Sequence, residues 1–179
     1  IEKYHAVRQY LLSFGKERLE QSGKTFMVND EKIKSRKKTN NKWFETQDSI
    51  SYWEDFNMPK IVWNRIAAIK QFALVKEDFF IQDSMHFLTG KELDYLSIIL
   101  NSKLYAVLLY SLIGEAAGGN AGNADNIKNL YVLKPTKDIK EKLLCLFKNE
   151  NIEFIDRWIC QLYNLSKEEQ EFIESQQIQ

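Results

Sequence analysis

Apolar side chains recur at helical spacing near both ends of the chain. At the start they lie at Tyr4, Val7, Leu11, Leu12, Phe14 and Leu19. This spacing predicts an amphipathic helix from Glu2 to about Gln21, which Ser22 and Gly23 end. Near the other end, the stretches 138–147 and 151–165 repeat the same period and predict a helical hairpin. Ser166 and Glu169 match a capping box, so a last short helix is expected after them.

Between the helical ends, the apolar residues form short runs that favour strands. The runs are TFMV (25–28), MPKIVWNRI (58–66), FALV (72–75), DFFIQ (78–82), MHFL (85–88) and IKNLYVL (127–133). Polar turns separate most of them, and β-branched and aromatic residues are frequent. The pattern predicts a small, mostly antiparallel sheet.

One longer apolar stretch, 93–113, predicts a central buried helix. Thr89 and Glu92 match a second capping box, which would open this helix, and the helix would end near Ile113. Asn101 and Ser102 interrupt the stretch, and we expect them to hold a neighbouring loop. The fold class is therefore α+β, with a central helix, an N-terminal helix and a C-terminal helical hairpin.

The predicted elements group into three segments of one compact domain. These are an N-terminal helix (1–24), a core with the strands and the central helix (25–135), and a C-terminal helical segment (136–179). The chain begins at Ile1, in helix-like sequence and without methionine. We therefore expect a fragment of a longer protein.

Charge is balanced in total but unevenly distributed. The 179 residues carry 25 Lys and Arg and 25 Asp and Glu, and 44% of them are hydrophobic, which is enough to fill a core. The stretch from Lys32 to Lys42 is basic and has no acid, whereas acids dominate from Glu141 onward. Such a chain can present one positive face. The candidates for phosphate contact are Lys34, Arg36, Lys37, Lys38 and Lys42, and the alternative is a solvated loop.

The sequence offers little for catalysis. His5 and His86 are far apart, and neither they nor Cys145 and Cys160 have metal-ligand spacing. The cysteines are interpreted as small core residues of a reducing compartment. Pairs of the form Asp-x-Lys at 30–32 and 138–140 lack the rest of a nuclease motif. The longest apolar run is interrupted by polar residues, which disfavours a membrane span.

Four of the seven glycines are concentrated in GEAAGGNAGN, residues 114–123. This stretch follows a helix and lacks the lysine of a P-loop, so it does not predict a phosphate cradle. Glycine permits close backbone approach, and asparagine can pair bidentately with adenine. Gly118, Gly119, Asn120 and Asn123 are therefore candidates for reading a base edge, and the alternative is an ordinary surface loop.

Several stretches together resemble the C-terminal specificity domain of TaqI-like adenine-N6 DNA methyltransferases and type IIG restriction–modification enzymes. They occur in the same order as in that family: KWFE (42–45), PKIVWNRI (59–66), YLSIILNSKL (95–104), the glycine loop with IKNLYVL, and IDRWICQLYNLSKEEQEFIE (155–174). The resemblance implies a DNA target recognition domain beside a catalytic domain that binds S-adenosylmethionine and flips out the adenine.

The resemblance also limits the activity that is expected of this chain alone. The Asn-Pro-Pro-Tyr tetrad and the cofactor signature are absent, so no cofactor is expected in this chain. S-adenosylmethionine would bind the upstream domain of a cytoplasmic bacterial protein, and magnesium would be needed if a nuclease is fused. The implied partner is double-stranded DNA.

Four further residues complete the candidate DNA contacts. Lys60, Asn64 and Arg65 belong to the Pro-Lys-Ile strand region, and Lys128 follows the glycine loop. Arg65 would read guanine or clamp phosphate, with pairing to Glu54 or Asp55 as the alternative. We expect Trp43 and Trp63 to pack in the core rather than stack on bases. The competing hypothesis for the whole chain is a non-catalytic protein-interaction module of a multi-subunit complex.

Overall fold

The computed structural model describes residues 1–48, 50–65, 71–76, 78–113, 124–149 and 152–177. The fold class is α+β, as predicted, with α-helices beside two small antiparallel sheets. The chain divides into two compact units, Ile1–Trp53 and Glu54–Gln179. The boundary falls inside the segment predicted as one recognition core. In the part of the chain that the structure describes, no helix is both long and apolar enough to span a bilayer.

The first unit begins with two short helices, α1 (His5–Leu12) and α2 (Lys16–Leu19). A single helix to Gln21 was predicted, and that prediction is wrong. Gly15 lies between the two helices with a φ of 85°, a left-handed conformation that glycine adopts without strain and that ends a helix. The amphipathic spacing therefore spans two helices that meet at a turn.

A β-hairpin follows, made of β1 (Thr25–Val28) and β2 (Glu31–Lys34). Thr25 pairs with Lys34 and Val28 with Glu31, so Asn29 and Asp30 form a two-residue turn. Both turn residues have positive φ, 50° and 64°, as such hairpin turns require. The predicted strand TFMV is confirmed, and the first three residues of the basic stretch, 32–34, belong to its partner strand.

The second unit contains a three-stranded antiparallel sheet in the order β4-β3-β5. Its strands are β3 (Lys60–Asn64), β4 (Ala73–Val75) and β5 (Met85–Thr89), which confirms three predicted runs. A 3-10 helix, Trp53–Asn57, precedes β3. Central β3 buries Lys60 to Trp63, and the ring of Trp63 packs 5.7 Å from that of Phe72. The expected core position of Trp63 is confirmed.

Two predicted strands are wrong. DFFIQ forms no strand, and Phe79 and Phe80 are exposed. The stretch IKNLYVL is divided: α5 (Ala124–Lys128) includes its first residues, and residues 129–133 pair with no strand among the described residues. The backbone carbonyls of Tyr131 and Leu133 accept hydrogen bonds from buried tyrosine hydroxyls instead. Side chains thus satisfy the backbone groups that a neighbouring strand would have bound.

The central helix is two helices, α3 (Leu93–Leu100) and α4 (Lys103–Ile113), which meet at Asn101 and Ser102. Their buried side chains, including Tyr95, Ile99 and Tyr105, form the middle of the core. The predicted capping box at Thr89 is wrong. Thr89 belongs to β5, and Glu92 has a φ of 59° and makes no side-chain cap bond.

Three helices complete the chain: α6 (Lys137–Lys148), α7 (Ile152–Leu162) and α8 (Lys167–Ser175). They contribute Leu143, Ile155, Ile159 and Ile173 to the core. The capping box of Ser166 and Glu169 is confirmed, with both reciprocal hydrogen bonds formed. Of the two cysteines, Cys160 is buried as predicted, whereas the prediction for Cys145 is wrong because its side chain is exposed.

Candidate nucleic-acid interface

The first unit carries the excess positive charge of the chain. It contains 11 Lys and Arg against 7 Asp and Glu, a formal charge of +4 that leaves −4 for the second unit. A neutral total therefore hides two oppositely charged units. Because polyanions respond to local potential, the first unit is the part of the chain suited to phosphates.

The hairpin presents Lys34, a predicted phosphate contact, and Lys32 on one face. Directly opposed residues of an antiparallel pair point to the same side, and Lys34 is opposite Thr25 while Lys32 is opposite Met27. All four residues are exposed, and Met27 retains 62% of its accessible surface. The other face holds the half-buried Phe26, Val28 and Ile33. The hairpin is therefore amphipathic, with a solvent face that bears Lys32 and Lys34.

The loop after the hairpin is held in place by Arg36. Its guanidinium donates to the backbone carbonyls of Leu19 at 2.8 Å, Glu45 at 3.1 Å and Trp43 at 2.5 Å. Arg36 was predicted to contact phosphate, and this contact stays a prediction, because the residue is half-buried. All three guanidinium nitrogens donate to the chain itself, which fixes the start of the loop against its end.

Gln21 also holds this loop in place. It is 4% exposed, and its amide nitrogen donates to the carbonyls of Lys42 at 2.9 Å and Glu45 at 3.0 Å. Its amide oxygen accepts from the Thr39 hydroxyl at 2.6 Å. Sequence reasoning missed this residue, since a glutamine at the end of a predicted helix gives no signal of burial.

The loop that Arg36 and Gln21 hold in place carries exposed lysines. Lys37, Lys38 and Lys42 are exposed, as are Lys32 and Lys34 of the hairpin, and these five side chains are the basic segment. No carboxylate oxygen of any described residue lies within 4.0 Å of their ammonium groups. Lys42 lies over the Phe44 ring, 5.7 Å from its centroid. The basic segment therefore keeps its charge available to an external anion.

The second unit places Asn64 and Arg65 at the end of β3, where both side chains are exposed. Asn64 is opposite Met85 in the sheet, and the Arg65 N–H donates to the Ser84 carbonyl at 2.9 Å. The backbone that carries both side chains is therefore anchored by the sheet. Such anchoring is what a side chain that reads a base edge requires.

Lys60 was also predicted to contact DNA, and that prediction is wrong. Its side chain is 0% exposed, and its ammonium donates to the Phe56 carbonyl at 2.9 Å. The residue lies on the central strand of the sheet, where both faces are covered. A buried ammonium needs such an acceptor, because an unsatisfied charge in the interior is costly. Lys60 therefore stabilises the fold.

The last candidates lie around the glycine loop. Lys128 is exposed on α5 and pairs with Asp125 at 3.6 Å. Gly118, Gly119, Asn120 and Asn123 lie outside the described residues. Within the described ranges, no group of three or more His, Cys, Asp and Glu side chains is placed to hold a metal ion.

Comparisons of the chain with protein-family models, curated proteins and solved structures find no match.

Proposed function

We propose that this chain is a DNA target recognition domain of a bacterial adenine-N6 methyltransferase or type IIG restriction–modification enzyme. It would read duplex DNA for a separate catalytic domain in the cytoplasm. One observation carries the proposal: the five lysines of the basic segment lie exposed, without carboxylate partners among the described residues, on a hairpin and a braced loop. The order of the quoted motifs supports the family.

The basic segment supplies affinity. Phosphate contacts release condensed counterions, and each contact adds about −0.9 to the slope of log affinity against log salt. The hydrogen bonds of Arg36 and Gln21 restrict the loop before DNA arrives. Less conformational entropy is then lost on binding, which strengthens association without any added contact.

Arg65 and Asn64 supply discrimination. An arginine fork matches the two acceptors of guanine in the major groove, and an asparagine amide matches adenine. Both side chains are exposed at the end of β3, where the backbone is held by pairing with β5 and by the Arg65 N–H bond to the Ser84 carbonyl. The glycine–asparagine loop at 114–123 is proposed as a second reading element on the strength of its residue types alone.

The chemistry belongs to the partner domain. That domain would bind S-adenosylmethionine and accept the flipped adenine, with magnesium required if a nuclease is fused. This chain contributes the choice of site and part of the binding free energy.

The test is a selection of randomised duplex DNA on the full chain at low and at moderate salt, followed by sequencing. The proposal predicts salt-dependent retention and enrichment of a short motif. Retention without a motif would assign affinity to this chain and discrimination to the partner. Absence of retention at low salt would overturn the proposal.

A protein-interaction module is the second candidate, favoured by apolar side chains on the C-terminal helices. Phe147, Ile152, Phe154 and Phe172 are each more than half exposed. Exposed apolar surface of this kind is typical of interaction sites. A partner bound there would resist salt, whereas DNA bound to the basic segment would be released by it.

A further inference from the structure

A cavity of about 410 Å³ opens between α3, α6 and α7 in the second unit. Its apolar walls are Phe72, Leu74, Ile98, Phe147, Ile152 and Ile155. Pockets that bind small organic ligands have volumes of about 300–1,000 Å³ and combine apolar walls with few polar groups. Phe147 and Ile152 are 56% and 72% exposed, so a ligand would bury apolar surface that the protein leaves in water.

Most polar side chains of this cavity already have internal partners. The Asn101 amide binds the backbone of Phe72 and the carbonyl of Ser97, and the Ser102 hydroxyl donates to the Ile99 carbonyl. The Ser97 hydroxyl donates to the Asp94 carbonyl. These three side chains therefore offer little to a ligand.

Asp156 is different, because only one of its oxygens is engaged. Oδ1 accepts from the backbone N–H of Lys103 at 2.8 Å, and Oδ2 accepts no hydrogen bond from a described residue. The Lys103 ammonium points to the Glu174 carbonyl, 2.6 Å away. No described cation lies within 4.0 Å of the Asp156 carboxylate.

Asp156 also lines a second cavity, and its charged neighbours lie around that one. That cavity, of about 310 Å³, is lined by Lys103, Glu153, Arg157 and Glu174 among others. The structure records Arg157 with its guanidinium over the Phe154 ring at 6.0 Å, not on a carboxylate. Desolvation raises the pKa of Asp156, while the Lys103 N–H and charge act in the opposite direction. A cation beside Oδ2 would favour the ionised form.

We propose that the larger cavity binds a small organic cation, with an aromatic or branched aliphatic body against the apolar walls and an ammonium or amidinium group on Asp156. The body replaces water on Phe147 and Ile152, and the cation pairs with Asp156, the one carboxylate among the described residues that line this cavity. An anion of the same shape would meet Asp156 with like charge and be excluded. This proposal is independent of DNA recognition.

The test titrates the full chain with phenethylamine and, as the matched anion, phenylacetate, followed by two-dimensional amide NMR. Phenethylamine is expected to give saturable shifts at Phe72, Ser97 and Ile155, with a Kd on the order of 1 mM. Phenylacetate is expected to give none there. Equal shifts from both probes, or none from the amine, would overturn the proposal.

Two variants and a control test whether phenethylamine binds in the larger cavity. Asp156→Asn retains an acceptor for the Lys103 N–H and removes the charge, and it is expected to weaken phenethylamine about tenfold. Phe147→Ala changes an exposed wall residue, so it tests the site even if Asp156→Asn fails to fold; it too is expected to weaken binding. Glu153→Gln, at the smaller cavity, is the control and is expected to change Kd less than twofold. Unchanged affinity in both test variants would exclude this cavity.

Discussion

The side-chain amide of Asn101 binds both backbone polar groups of Phe72. Its nitrogen donates to the Phe72 carbonyl at 2.7 Å, and its oxygen accepts from the Phe72 N–H at 2.9 Å. Phe72 directly precedes β4, and its ring packs against Trp63 of β3. The amide therefore connects the end of α3 to the sheet in the way that a neighbouring strand would. The sequence-based expectation that Asn101 holds a neighbouring loop is confirmed.

Asn101→Ala is expected to lower the free energy of unfolding by about 2–3 kcal/mol, because it leaves two backbone groups of a buried residue unpaired. Asn101→Asp retains the acceptor and replaces the donor by a second acceptor, so we expect it to destabilise also. Urea unfolding measures both. Asn57→Ala is the control, since that exposed amide makes only a 3.5 Å contact. Equal effects at positions 57 and 101 would contradict the assignment.

A network of tyrosine hydroxyls makes the free energy of unfolding depend on pH in the alkaline range. The Tyr105 hydroxyl donates to the Tyr131 carbonyl at 2.5 Å and lies 2.8 Å from the Tyr163 hydroxyl, and the Tyr95 hydroxyl donates to the Leu133 carbonyl. Burial, followed by interactions with Tyr163, raises the pKa of Tyr95 to about 12. Burial and Tyr163 also raise the pKa of Tyr105.

Because both hydroxyls stay protonated in the folded state above the ordinary tyrosine pKa, their contribution to stability is complete below pH 10 and is lost as pH rises further. Each group that ionises only in the unfolded chain lowers the free energy of unfolding by about 1.4 kcal/mol per pH unit. Tyr95→Phe and Tyr105→Phe should each make this decline shallower. Tyr131→Phe, at a 94% exposed side chain, should leave the decline unchanged. Urea titrations between pH 8 and pH 11 measure how steeply the free energy of unfolding declines in each variant.

The two predicted capping boxes show which local features the sequence predicts and which depend on tertiary packing. Ser166 and Glu169 form their capping box as the pattern predicts. Thr89 and Glu92 do not, because Thr89 pairs with Lys60 in the sheet and the Glu92 carboxylate binds the Lys140 ammonium at 2.5 Å. Local spacing predicts local hydrogen bonds well, but it carries no information about a partner that lies 48 residues away along the chain.

Ser166→Ala is therefore expected to destabilise the second unit by about 1 kcal/mol, the usual effect of losing an N-cap. Thr89→Ala removes no cap bond and is expected to leave helix content unchanged. Far-ultraviolet circular dichroism and the urea midpoint measure the two effects. A loss of helix in Thr89→Ala alone would contradict the structure.

The candidate site also contains residues whose exposure the sequence predicts and residues whose position depends on tertiary packing. Lysines of an acid-free stretch were predicted to lie in solvent, and Lys34, Lys37, Lys38 and Lys42 do. Arg36 and Lys60 were grouped with them by charge alone, yet each donates to backbone carbonyls of its own unit. Charge type predicts exposure only on average, since a long cationic side chain can bury its stem and satisfy its head internally.

Lys37→Ala is expected to weaken binding to all duplex sequences alike and to reduce the salt slope by about 0.9, the effect of one lost phosphate contact. Lys137→Ala is the control, because that exposed lysine pairs with Glu141. Binding isotherms across a salt series measure both. If the two variants behave alike, the basic segment is not the phosphate contact.

Arg36→Lys tests the hydrogen bonds of Arg36 to its own chain separately from its charge. Lysine keeps the positive charge but cannot donate to three carbonyls in the fork geometry of a guanidinium. We expect the free energy of unfolding of the first unit to fall and DNA affinity to fall with it, while the salt slope stays near its original value. Reduced DNA affinity with unchanged stability would assign Arg36 to the phosphate contacts, because lysine loses the bidentate bonding of a guanidinium to phosphate.

Arg65→Lys separates base reading from simple attraction at the end of β3. The variant retains charge but loses the bidentate fork, so we expect specificity to relax at one base pair by about 1–3 kcal/mol while the salt slope is unchanged. Selection of randomised duplexes on the original chain and on the variant measures the preference at each position. Arg157→Lys, an exposed arginine of α7, is the control and should leave every position as it was. If Arg65→Lys weakens all sequences uniformly and the preferred site is unchanged, Arg65 contacts the backbone of DNA and not its bases.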